Sequence, residues 1–363
     1  MKKPVAEKKP KLQRSKKAGM APGSLVYVGE VKTKKPVITL IEYSPEKMEE
    51  KTLQPAAVAT YKRPPKSKMW LNVHGLHDTQ LIADVGAAFN LHPLVLEDIL
   101  NTDQRPKVDV YDDYLYIVTR SFYYDKTQNG LVSEQISIVL GAHTVLTFQE
   151  RPTGSFEPVR ERLRSGRGHL RGAGPDYLAY ALLDVTVDNY FVVLEQIGDD
   201  SETLENVLLN KPTSAVLHKL HRLKREIMEL RRSVWPLREV LNGLIRNENK
   251  FFEANTLLYL RDVYDHTVHF IESLESIRDM LGGMLEIYLS SLSNRLNMEL
   301  RALTVVAMLF MPATLIASIF GMNFNKMPWI NHDNGFWWAI GIMAGVAFTM
   351  ALIFWRHQWL SRR

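Results

Sequence analysis

Three residues near the C-terminal end combine a helix stop with a neutral oxygen donor. Gly321-Met322-Asn323 stands where a long uncharged run approaches its end. Gly321 is a natural helix stop, and Asn323 then offers a neutral carbonyl oxygen. Such an oxygen holds a hydrated cation without trapping it as a carboxylate would. Other candidates pull less clearly toward one chemistry. Glu195, Asp199, Asp200, Glu202 and Glu205 crowd one stretch and either draw cations or form a solvated face. His218 and His221 have the i,i+3 spacing of a metal pair, but Lys219, Arg222, Lys224 and Arg225 surround them. The Gly- and Arg-rich run at 166–174 either cradles a phosphate or is a plain loop. Cys is absent, which excludes disulfides, thiolate metal centres and Cys nucleophiles. There is no Walker loop, no His-Glu-x-x-His and no nucleophile elbow, so the chain does not read as an enzyme.

The elements that must position Asn323 are apolar. No charged residue occurs from Ala302 to Asn325 or from Asn334 to Trp355. The apolar cores, 302–320 and 335–355, each match the ~20 residues that cross a ~30 Å hydrocarbon layer as a helix. Trp329, Trp337, Trp338, Trp355 and Trp359 cluster at the ends of these runs, where an aromatic belt belongs. The connection between them is short, so the two helices form a hairpin. It carries one basic residue, Lys326, whereas Arg295, Arg301, Arg356, Arg362 and Arg363 lie on the outer flanks. The positive-inside rule then puts both termini in the cytoplasm and the connection outside.

The remaining chain reads as soluble. Residues 24–30, 36–44 and 69–75 are rich in Val, Ile, Tyr and Trp and read as strands. Residues 78–90 read as a helix capped by Asp78, followed by a second short helix. Residues 110–125 and 133–150 read as long antiparallel strands, with Gly141 at a turn. Two amphipathic helical stretches follow, 174–210 and 212–250, with Pro212 and Ser214 as start signals and Pro236 expected to break or kink the second. From about Asn255 a third helical pattern runs into the first apolar run. Its heptad register holds Leu260, Val263, Thr267, Phe270, Leu274, Ile277, Leu281, Met284, Tyr288 and Ser291. That seam suits either a coiled coil between copies or packing against the two preceding helices. Gly282-Gly283 interrupts the pattern, for close helix packing or for a bend. The basic N-terminal residues 1–20 form a solvated tail or touch acidic lipid headgroups. No aromatic residue is interleaved with the basic ones of residues 1–17, which argues against nucleic acid.

Taken together, the segments 92–108, 155–164, 234–241, 261–267, 288–297 and 320–324 closely resemble the CorA-type magnesium and divalent-cation transporter family. The expected fold is an α/β cytoplasmic domain plus long helices and a C-terminal two-helix transmembrane hairpin, in a funnel-shaped oligomer. The expected division is a basic tail at 1–20, the α/β domain at 21–170, a helical hairpin at 174–250, and a stalk helix at 255–320 that becomes the first membrane helix. An external loop at 321–334, a second membrane helix at 335–355 and a basic tail at 356–363 complete it. The resemblance implies a homopentamer in the cell membrane, contacting lipids and divalent cations, with a filter of Gly321, Met322 and Asn323. It implies a pore lined by Asn297, Leu300, Leu303, Ala307, Met311 and Thr314. It further implies regulatory Mg2+ sites at Asp98 and Asp262, with Glu97, Asp184 and His266 beside them, that close the channel when internal Mg2+ is high. Mg2+ is both cargo and regulator, and no organic cofactor is implied. Many members carry Tyr before the Gly and Met-Pro-Glu after the motif. This chain has Phe320 and Met327-Pro328-Trp329, which weakens cation concentration at the mouth and leaves Co2+ and Ni2+ as alternative cargo. Two competing readings remain: a zinc transporter of the same superfold, and a two-helix membrane-anchored sensor without a pore.

Overall fold

The computed structural model describes residues 19–58, 60–61, 67–125, 130–210, 212–246, 250–322 and 332–356. They divide into two compact units, the first running to Leu204 and resuming over His218–Leu281, the second comprising Glu205–Leu217 and the chain from Gly282 onward.

In the first unit, seven strands form one sheet. They are β1 (Val37–Tyr43), β2 (Met48–Leu53), β3 (Lys68–His74), β4 (Lys107–Val110), β5 (Tyr114–Asp125), β6 (Gly130–Gly141) and β7 (Thr144–Gln149). Their order is β2-β1-β3-β7-β6-β5-β4. All pairings are antiparallel except β3 with β7. That parallel pair needs a crossover, and helices α2 (Thr79–Ala88) and α3 (Pro93–Leu100) lie within it. Asp78 caps α2 by accepting from the Leu81 amide at 3.0 Å. Leu81, Ile82, Val85, Val95, Ile99 and Leu100 bury one sheet face against Ile38, Leu40, Leu71, Val73 and Val118. The short α1 (Pro55–Val58) adds Val58 to this core.

The opposite face meets α4 (Glu157–Ser165) and α5 (Pro175–Asn210). Trp70 stands edge-on to Phe156, and Phe122 to Tyr190. The Trp70 indole donates to the Thr147 hydroxyl at 2.9 Å in the sheet interior. Thr147→Val strands that donor, so local stability drops by about 1–3 kcal/mol. Hydrogen-exchange protection of β3 and β7 will show it, and Thr147→Ser, which keeps the acceptor, restores it.

Two strand assignments change. Residues 24–30 form no strand. Only Val28 bridges to Asn101, through its amide to the Leu100 carbonyl at 2.9 Å. The segment pairs only with the end of α3 and adds to neither free edge of the sheet, at β2 or β4. Residues 110–125 are likewise divided. β4 ends at Val110, and the chain turns before β5 starts at Tyr114.

Helix α6 (Ser214–Arg246) runs through Pro236 without a break. Proline removes one backbone hydrogen bond, but Leu230, Val234, Leu237, Val240 and Leu241 continue one buried stripe across it. Burial of such side chains contributes about 1.5–3 kcal/mol each, enough to hold both halves in register. Helix α7 spans Ala254–Phe320. Its seam residues Leu260, Val263, Thr267, Phe270, Leu274 and Leu281 are all fully buried within this one chain. Phe270 packs on Tyr190 and Phe191 of α5, and Arg231 of α6 pairs with Glu275 at 3.0 Å. Intrachain packing thus accounts for this part of the seam. Gly282 and Gly283 leave α7 continuous, and a Cβ at either would meet nothing within 4 Å, so close packing inside the chain does not explain them. The division between the two units nonetheless falls at Gly282.

In the second unit, α7 continues and α8 spans Gly335–Arg356. Both are long and apolar enough to cross a membrane, and only 6% of each apolar window is buried within the chain. Helix α5 also reaches that apolarity, but 67% of its window is buried. It is a core helix of the first unit.

Candidate functional site

The residues expected along a pore lie on α7. Asn297, Leu300, Leu303, Ala307, Met311 and Thr314 recur at steps of three and four, so at 100° per residue they share one stripe. All six are exposed in the single chain. Leu303 and Met311 stand out at 66% and 68%. Exposed apolar side chains at this density need a cover of lipid or protein. The Thr314 hydroxyl donates to the Phe310 carbonyl at 2.9 Å, which leaves its oxygen lone pairs free to accept from a metal-bound water. No carboxylate occurs on the stripe.

The helix ends at Phe320. The Gly321 amide still donates to the Ala317 carbonyl at 2.9 Å, and that of Met322 to Ile319 at 3.2 Å. Gly321 is not left-handed. A Cβ there would stand 3.2 Å from the Ala317 carbonyl oxygen, a tight contact that favours glycine. Asn323, expected from the sequence as a filter residue, lies outside the described residues.

The carboxylates divide into two groups within the first unit. On α5 and α7, Asp184, Asp188 and His266 bring one ligand atom each within 4.8 Å of one another. Asp262 joins through His266, at 3.9 Å. Octahedral Mg2+ at ~2.1 Å needs opposing ligands about 4.2 Å apart, so the spacing and the oxygen donors fit such an ion, and the imidazole also suits Co2+ or Ni2+. Burial, and then the neighbouring charge of Asp188, push the Asp184 carboxyl up to about 6. Asp188 was not singled out from the sequence, although its i,i+4 spacing from Asp184 on a helix was the available signal.

The second group lies on α3 and β4. Asp98 accepts from Gln104 at 2.5 Å and from the Lys107 ammonium at 2.8 Å. Lys107 also pairs with Asp109 at 2.5 Å. Glu97 accepts from the Gly23 amide at 2.6 Å. A shallow concavity of about 580 Å3 opens over Glu97, Asp98 and Asp109. Neither Asp98 nor Glu97 belongs to the Asp184 cluster. A metal that used both groups would have to take them from different subunits.

The minor candidates resolve differently. Asp200 of the acidic stretch pairs with Lys219 at 3.2 Å. His218 and His221 belong to no cluster of three potential ligands among the described residues. In the 166–174 loop, Gly166 caps α4 in the left-handed region at φ 65°. The Arg171 guanidinium closes the same helix end by donating to the Leu163 and Arg164 carbonyls at 2.5 and 2.6 Å. This loop is a capping device.

Because a proton competes with a metal for Asp184, Mg2+-dependent protection should shrink as pH falls. The thermal shift given by Mg2+ at pH 7.5 is expected to be mostly lost at pH 5.5, and Asp184→Asn to flatten that dependence. Without metal the sign reverses. The folded chain holds a proton that the unfolded chain releases between pH 3.8 and about 6, so intrinsic stability falls as pH rises through that window.

The chain thus joins an α/β unit, through one continuous helix, to an uncharged apolar stripe and a second apolar helix, both long enough to cross a membrane. The CorA-like Mg2+ transporter protein family matches residues 66–357, and the chain belongs to that family. It is 43% identical over 347 residues to the cobalt/magnesium transport protein CorA of Thermotoga maritima, covering 95% of this chain and 98% of that one. It is 30% identical to the putative metal ion transporter YfjQ of Bacillus subtilis, over 86% of this chain and 96% of the other. Among solved structures, the CorA magnesium transporter of Methanocaldococcus jannaschii superposes with a TM-score of 0.77 at 20% identity, over 89% of this chain and 98% of that one. The cytoplasmic domain of ZntB from Vibrio parahaemolyticus shares the fold at a TM-score of 0.55 and 12% identity, over 71% of this chain and 99% of that one.

Proposed function

We propose that this chain forms a homopentameric channel in the cell membrane, with both termini cytoplasmic, that admits divalent cations and closes when cytoplasmic Mg2+ rises. The exposed, uncharged stripe on α7 carries the reading. Five copies would cover Leu303 and Met311 with one another and enclose a narrow apolar constriction that closes by dewetting. Helices α7 and α8 would form the membrane hairpin, with the short connection outside. Mg2+ gives up its waters reluctantly, and amide and hydroxyl oxygens at Asn297, Thr314 and Asn323 suit the hydrated ion. The relatives named for cobalt and magnesium transport support this cargo, and the ZntB likeness supports the fold alone. Flux into proteoliposomes loaded with a divalent-cation dye is the test. Mg2+ should enter down its gradient, with Co2+ and Ni2+ competing. Zn2+ passage without Mg2+ passage would favour the zinc reading, and no flux of any dication would leave a sensor without a pore.

Closure is assigned to the two carboxylate groups. Asp98 and Glu97 of one subunit would face Asp262, Asp184 and His266 of the next, with Mg2+ between them.

A further inference from the structure

Helix α6 and the β4–β6 end of the sheet line a groove of about 1130 Å3 that, apart from Lys107, holds none of the residues assigned to transport or closure. Its lining holds six Lys and Arg side chains against three acids. Half of the cations are engaged. Lys107 holds Asp98 and Asp109. Arg120 donates to Ser133, Thr102 and Gln104 at 2.7 to 3.2 Å. Arg222 pairs with Asp200 and Glu226. Glu226 is itself buried and accepts from the Tyr124 hydroxyl at 2.8 Å. Arg105, Arg225 and Arg232 remain, all exposed. None of them has a hydrogen bond or ion pair among the described residues.

Three unpaired guanidinium groups in one concave surface focus a positive potential. Their planar forks match phosphate oxygens two at a time, which an ammonium cannot do. Arg225 and Arg232 are seven residues apart on one face of α6, so their Cα atoms stand about 10.5 Å apart along the axis. A linear polyphosphate offers each of them a separate phosphate group along that distance. The groove also holds two further acids, Asp103 and Glu229, which suit a ligand that carries its own divalent counter-ion. We propose that this groove binds a linear polyphosphate in its Mg2+ form, either an inorganic chain or the triphosphate of a nucleotide.

The test uses the full-length protein in detergent, at constant free Mg2+ so that chelation does not register. The probes are inorganic tripolyphosphate, ATP, orthophosphate, and vesicles containing phosphatidylinositol bisphosphate. Tripolyphosphate should bind saturably, and orthophosphate at least about tenfold more weakly, because it offers one phosphate group where the groove presents three guanidinium groups. ATP binding alongside tripolyphosphate would assign the ligand to nucleotides as well as inorganic chains. The Arg225→Ala/Arg232→Ala variant, which touches only exposed side chains, should weaken tripolyphosphate binding about tenfold or more at an unchanged melting temperature. The Arg225→Lys/Arg232→Lys variant should recover part of it, since charge remains but the fork does not. Absence of saturable binding by any soluble polyphosphate would overturn the proposal. So would equal affinity in wild type and the double Ala variant, equal affinity for orthophosphate and tripolyphosphate, or binding confined to the vesicles.

Discussion

Asn323→Ala lowers divalent-cation flux by about a hundredfold or more, equivalent to roughly 2.7 kcal/mol on the barrier, while the oligomer stays assembled. The substitution removes the amide oxygen that follows Gly321 and Met322 at the end of α7. The stripe offers little substitute, since Leu303, Ala307 and Met311 are apolar and the Thr314 hydroxyl, which can still accept, lies nine residues back along the chain. A cation reaching the mouth of the variant would meet no ring of acceptors for its water shell, and the cost of entry would rise accordingly. Asn323→Asp fails in a different way. A ring of carboxylates binds a dication tightly and slows its release, so flux falls while apparent affinity rises. Flux in proteoliposomes and crosslinking of the oligomer, measured on the same preparation, separate lost conduction from lost assembly. Wild-type uptake by a correctly assembled Asn323→Ala variant would reduce Asn323 to a helix-end residue.

The parts of this protein that were readable from sequence are those governed by local periodicity. Runs rich in β-branched and aromatic residues mark β1, β3, β6 and β7, and the uncharged runs mark the C-terminal part of α7 and nearly all of α8. The Asp78 cap was visible for the same reason, because a cap is a local device. What escaped depends on partners distant in sequence. β2 reads MEEKTL, is half exposed, and exists because β1 offers an edge. Residues 24–30 have strand composition but lie against the end of α3 instead of a sheet edge. Pro236 looked like a break because the stripe that holds α6 through it is buried against other elements. The regulatory carboxylates show the limit most plainly. Asp98 and Lys107 can both be read off the sequence, but their 2.8 Å ion pair requires α3 and β4 to be folded side by side. Likewise Asp184 and Asp188 lie on one helix, and only the packing of α5 on α7 adds His266 to them.

That ion pair sets the second large effect, a pair of substitutions that move Mg2+ sensitivity in opposite directions. In the proposed closed state, Mg2+ bridges the Asp98 group of one subunit and the Asp262 group of the next. The two groups begin unequal. Asp262 is 63% exposed, and its one described partner is His266 at 3.9 Å, so its charge is available. Asp98 is already partly neutralised by the Lys107 ammonium, which a bridging ion must displace or share. In that arrangement and without metal, Asp184, Asp188 and Asp262 would face the acids of the α3 group, and the like charges would repel. Mg2+ turns that repulsion into attraction and stabilises the closed state by RT ln(1 + [L]/Kd), so closure tracks free internal Mg2+. Asp262 and Leu303 lie on the one continuous helix α7, which would carry a change at the carboxylates to the apolar constriction. Asp262→Ala removes a ligand and no buried contact, so half-inhibition should need at least about tenfold more internal Mg2+, or 1.4 kcal/mol per bridge. Lys107→Met removes the competing ammonium and frees Asp98, so half-inhibition should come at lower Mg2+. Neither substitution touches the α7 stripe, so the order in which Mg2+, Co2+ and Ni2+ pass should stay as in wild type. Flux measured against internal Mg2+ for the three proteins decides the matter. Superimposable inhibition curves would show that these carboxylates do not sense the ion, and a shift of both variants in the same direction would show that Lys107 supports the closed interface instead of competing with the metal.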